Sequence, residues 1–326
     1  MLWVATLALT PALSSAQGPG QLPRVGILAP GPRPASEEPG SAFDRFVRAL
    51  AGLGLVDGRT VQLVWRFDDR QMARMQQQAE ELVGLRMDVI VAGTTGSALA
   101  AKRMTSSIPI VMAVSADPVA DGLVASLGRP GGNVTGMSIM SPELVGRRLQ
   151  LLAEVVPRLN RVALLLDQTT GARARAELQD YQAAAKRLNL QVLPIEIAAP
   201  DDFAKAFVEA KRQRADALAF MQSPLVAQHG SRLAELALTH RLPTISGSGE
   251  FSFARDGGLM TFGPNIGASW ERAARFVERI LKGDKPADMP VEQPTRFEFG
   301  INRQTAERLG LRIPESVLLL ADQVFP

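Results

Sequence analysis

The chain has 326 residues, 46% of them hydrophobic and 21% charged, with 36 Lys and Arg against 33 Asp and Glu, a formal charge of +3. At roughly 150 residues per domain that length provides two lobes, each large enough to bury a core. There is no cysteine and there are two histidines, His229 and His240. Disulfides, thiolate metal sites, iron–sulfur clusters, cysteine nucleophiles and a His-rich metal centre are therefore excluded, and the charge balance calls for no nucleic acid.

Residues 2–12 are apolar, Ser14, Ser15 and Ala16 follow, and the first charged side chain is Arg24. This pattern reads as a signal peptide over residues 1–16, too short to span a bilayer as a permanent helix. It lacks the Lys or Arg with which such leaders begin. A disordered or buried apolar N-terminus is the alternative. The expectation is an exported, periplasmic protein. With no Cys at the cleavage site it is not a lipoprotein.

From residue 24 onward short apolar runs alternate with amphipathic stretches of helical length, the pattern of β-α-β units. Strands are predicted over residues 24–30, 61–67, 88–94 and 109–115, and helices over 41–54, 72–85 and 97–104. A fifth run from Val134 leads into a helix near Pro142, with Ser141 as its N-cap.

The order then repeats. Runs beginning at 24, 53, 86 and 108 have echoes beginning at 161, 188, 214 and 242, offsets of 137, 135, 128 and 134. Two similar lobes in series are the preferred reading, although β-α units share composition by physics alone. Residues 257–264 then read as a strand, 266–282 as a long amphipathic helix, 285–294 as a Pro-rich stretch, 297–302 as a strand and 303–309 as a short helix. These extra segments suggest that the chain passes back between the lobes, with 134–140 and 259–263 as candidate hinge strands.

In open α/β sheets ligands bind beyond the carboxyl ends of the strands. Here those ends are small, polar and Gly-rich: Pro30 and Gly31, then Thr94, Thr95, Gly96 and Ser97, then Asp117 and Pro118, then Asp167, Gln168 and Thr169, then Ser223, then Gly247, Ser248 and Glu250. Hydroxyls, free backbone N–H groups and helix N-termini of this kind hold a carboxylate or another small anion. Each has a plain structural alternative: Thr95 or Ser97 as a helix N-cap, Asp117 as the cap of the next short helix, and Glu250 in solvent. Asp167 closes an apolar strand, so its charge needs a partner, either a ligand or backbone N–H groups.

Signals for catalysis are weak. "GTTGSA" and "GILAPG" lack the glycine spacing of nucleotide-binding loops, and "GSGEF" is not a nucleophile elbow. His229 and His240 are too far apart for one metal and read as surface residues. Asp68, Asp69, Asp201 and Asp202 read as turn and helix-start residues.

The strings "DVIVAGTTGSALAAK", "SLGRPGGNVTG", "ELVGRRLQLLAEVVP", "GGLMTFGP" and "KPADMPVEQPT", within a stretch from Arg24 to Val324, resemble the ABC-transporter substrate-binding proteins, in the group that includes tryptophan and aromatic amino-acid uptake. The resemblance implies an α/β fold of two Rossmann-like lobes, periplasmic-binding-protein-like I, joined by a multi-strand hinge with a ligand cleft between them. It implies no enzyme activity and no cofactor or metal, and it makes an inner-membrane ABC permease the partner of an expected monomer. The lobes are expected at 24–137 plus about 263–285, and at 141–260 plus about 295–326. By position the cleft loops fall on Thr94 to Ser97, Asp117, Ser138, Asp167 to Thr170, Ser223 and Ser246 to Glu250. The chain has "DQTTGA" where many relatives carry an Asn-Pro loop, and no predicted cleft loop holds an aromatic except Phe251. A small polar or anionic solute, an amino acid or small carboxylate, is expected rather than an indole held between rings. A sensory module acting with a separate partner, or a doubly wound enzyme, is the alternative.

Overall fold

The structure, a computed structural model, describes residues 21–326 apart from 30, 32–40, 68–71, 140–141, 222, 248–250 and 296. The predicted leader, Pro30, Asp68, Asp69, Ser141, Ser248 and Glu250 therefore lie outside the described residues.

The first sheet is built from β1 (Arg24–Ala29), α1 (Ala42–Gly52), β2 (Gln62–Phe67), α2 (Met72–Gly84), β3 (Val89–Ala92), α3 (Thr95–Met104), β4 (Ile110–Ser115) and β5 (Val134–Ser138). Its five strands are all parallel, in the order β2-β1-β3-β4-β5. Strand residues alternate between two apolar layers: Val25, Ile27 and Ala29 join one cluster and Leu28 the other. An interior parallel strand is covered on both faces, so it reads as an unbroken apolar run. Gly136, at φ 129°, is required where β5 meets β4, since a Cβ there would lie 2.3 Å from the Met112 carbonyl oxygen.

The chain then enters α4 (Pro142–Val155), β6 (Arg161–Asp167), α5 (Ala172–Arg187), β7 (Gln191–Ile197), α6 (Phe203–Arg212), β8 (Ala217–Phe220), α7 (Pro224–Gln228), α8 (Gly230–Thr239), β9 (Thr244–Ser246), α9 (Ser252–Arg255) and β10 (Met260–Pro264). Strands β7-β6-β8-β9-β10 repeat the order of the first sheet. The echo in the sequence is thus a topological repeat.

After β10, α10 (Ile266–Leu281) returns to the first sheet, packing on α1, β3, β4 and β5. It is amphipathic, and Trp270, Ala273, Ala274, Val277 and Ile280 sit on its buried face. Met289 and Val291 then join the cores of the first lobe, and Glu292 bridges Met137 beside β5. Finally β11 (Phe297–Asn302), α11 (Arg303–Leu309), α12 (Glu315–Leu318) and β12 (Gln323–Phe325) complete the second sheet, with β11 antiparallel to β10 and β12 at the edge.

The candidate hinge strands are also sheet strands. β5 and β10 are members of the two sheets, and after each the chain passes to the other lobe, from β5 to α4 and from β10 through Asn265 to α10. Apolar alternation marks a strand, but it does not show where the chain leaves its sheet. The histidines also differ from the surface reading. Each is half-buried against α6, His229 edge-on to Phe203 at 5.6 Å and His240 stacked on Phe207 at 5.7 Å.

Candidate ligand-binding cleft

At the carboxyl ends of the first sheet, local hydrogen bonds fix each hydroxyl. Thr94, not Thr95 or Ser97, is the N-cap of α3: its Oγ1 accepts from Ser97 N at 3.1 Å, while Ser97 Oγ accepts from Thr94 N at 2.8 Å. This reciprocal box satisfies two otherwise orphan N–H groups. The helix consequently starts at Thr95, two residues before the predicted start. Thr95 Oγ1 turns to the next loop and accepts from Ala116 N at 3.0 Å, and Ser138 Oγ donates to Ala116 O at 3.0 Å. The ends of β3, β4 and β5 are thereby tied at Ala116. Asp117 Oδ1 accepts from Val119 N and Ala120 N, at 3.1 and 3.0 Å, across Pro118. Gly31 takes a positive φ of 78° just beyond β1.

The second sheet repeats the pattern. Asp167 is fully buried, and its Oδ1 accepts from Thr169 N at 2.9 Å and Thr169 Oγ1 at 2.5 Å. Its Oδ2 is buried with no hydrogen-bond partner among the described residues. Gln168 and Thr169 form the turn that leads through Gly171 into α5. Ser223 caps α7 through Val226 N at 3.2 Å. Gly247 directly follows β9, and Phe251, in the left-handed region at φ 56°, packs on Phe325 and over Gly300.

The two rims interact electrostatically. Burial pushes the Asp121 carboxyl up, Asp117 adds to this and Arg173 of α5 opposes it; burial and then Asp117 push Asp180 of α5 up. The loop after β4 therefore lies near α5 of the second sheet. Among the described residues no cluster of His, Asp and Glu could hold a metal ion.

The model of the family described as ABC transporter substrate binding protein matches residues 39–325. The chain belongs to that family. A tyrosine-binding protein of Clostridioides difficile is 26% identical over 267 residues, covering 82% of this chain and 76% of the relative. An ABC domain from Streptococcus pneumonia, solved in complex with L-Trp, superposes with a TM-score of 0.82 at 23% identity, over 94% of this chain and all of that one. A ligand-free, open substrate-binding protein with adhesive properties from Clostridium difficile gives 0.73 at 24% identity, over 93% and 99%. The fold is that of type I periplasmic binding proteins.

In this family member, sequence reasoning missed the buried charges. Arg148 of α4 is 4% exposed, donates from Nε to Phe262 O at 2.8 Å and lies 4.0 Å from Glu177. Tyr181 is fully buried beside it. Burial pushes the Tyr181 phenol up to about 12, and the nearby guanidinium opposes that rise. The signal was present: Leu144, Val145, Leu149, Leu152 and Val155 make the buried stripe of α4, and Arg148 falls on it.

Proposed function

We propose that the chain is the solute-binding component of an ABC importer. In this reading it takes an amino acid or similar small carboxylate between the lobes and hands it to a membrane permease. The observation that carries the ligand class is Asp167. A buried carboxylate oxygen without a partner costs about 1–3 kcal/mol, and a ligand ammonium is the group that relieves it. At the strand ends of the first sheet, Thr95, Ser115, Ser138 and the N-terminus of α3 suit a carboxylate. The tyrosine and tryptophan named for relatives are amino acids too. Export by residues 1–16 would put the protein in the periplasm, where the permease is reached, and cell fractionation tests this.

The ligand test is a thermal-shift screen of the purified protein against the twenty L-amino acids and benzoate. Saturation at a hundredfold excess over Kd contributes about 2.7 kcal/mol, a rise of roughly 5–10 °C. A silent screen would sink the amino-acid reading. A response to benzoate alone would remove the role given to Asp167.

A further inference from the structure

The guanidinium of Arg148 lies against two backbones at once. A Cβ on Gly247 would sit 2.7 Å from its Cζ and Nη2 and 3.0 Å from its Nη1, so Gly247 is the residue that lets the cation lie on the chain where it leaves β9. Its Nε holds the carbonyl of Phe262, in the strand that runs to the second crossing. Three residues on, Asn265 joins the lobes: its amide donates to Glu298 of β11, its Oδ1 caps α10 through Ala268 N at 2.6 Å, and Arg45 of α1 donates to the same oxygen at 3.2 Å. An apolar residue would fill the α4 stripe as well as Arg148 does. What the cation adds is a fixed link between the start of a cleft loop and the strand entering a hinge.

We propose that Arg148 is a positioning residue that holds Gly247, where the chain leaves β9, and the β10 crossing as one unit, so that events in the cleft are felt in the angle between the lobes. The proposal rests on the cleft reading for its purpose, but its test needs no ligand. Because the chain has no cysteine, Arg59→Cys and Val208→Cys place spin labels at one exposed site in each lobe. Pulsed electron resonance gives the interlobe distance distribution, and hydrogen exchange gives local protection, both in the ligand-free protein.

Arg148→Gln and Gly247→Ala are each expected to shift or broaden the distance distribution. They should also speed exchange at least tenfold in residues 244–247 and 260–265, leaving β6–β7 unchanged. Arg148→Lys, which keeps the charge but not the flat contact, should restore the melting temperature without restoring the distribution. Should Arg148→Gln fail to fold, the Lys and Gly247 variants decide. An unchanged distribution in those variants, or exchange that rises evenly across the second lobe, overturns the proposal. Failure of the solute screen would leave both readouts intact and so counts against the ligand class alone.

Discussion

Asp167 has one oxygen tied into its own turn and one buried without a partner among the described residues. Asp167→Asn keeps the shape and removes the charge. The expected result is ligand-free stability within about 1 kcal/mol of the parent and at least a tenfold weaker Kd for any amino acid found in the screen, read by calorimetry. Ser97→Ala makes the opposite case. It removes half of a capping box, so it should cost about 1 kcal/mol in urea unfolding whether or not a ligand is present. The sequence marked both residues as strand-end polar groups. It could not separate cap from ligand contact, because the same Ser, Thr and Asp serve both roles. Arg148 was hidden for a different reason: a charged residue inside a helical period reads as a solvated face unless its register against the apolar stripe is counted.

At the scale of elements, interior strands were the most legible, since burial on both faces leaves an unbroken apolar run, and β6 starts and ends where it was predicted. Helix α10 was legible as an amphipathic helix. Its neighbours were not, because periodicity shows which face is buried and not against which sheet. In the structure Trp270 is 2% exposed and meets Phe43 and Phe46 edge-on at 5.1 and 5.5 Å. Trp270→Ala should cost about 3–5 kcal/mol, and hydrogen exchange should show the loss mainly in β1–β5. The short pieces α12 and β12 left no clear pattern, being four and three residues long with Leu319 exposed.

Across the whole molecule, the carboxyls of Asp121 and Asp180 are raised mainly by burial, with Asp117 adding to both. A raised carboxyl favours the folded, apposed state while it is protonated. That contribution is lost as pH rises from the ordinary value of 3.8 through the raised one. Glu209 has the opposite sign: Arg212 and Gln213 hold it at about 2, so its contribution is present above the ordinary 4.5 and is lost as pH falls toward 2. The clean readout is therefore a difference. Asp121→Asn and Asp180→Asn should each gain melting temperature over the parent at about pH 7, and the gain should vanish near about pH 4.

The return of α10 to the first sheet also bears on the order in which the protein can be finished. Trp270, Met289 and Val291 complete cores that begin at Val25, so the first lobe cannot close until residue 291 has left the ribosome, long after every strand of its sheet has been made. A nascent chain of this design keeps the apolar strands of its first sheet incompletely covered until most of it has been made, which leaves them available to a chaperone.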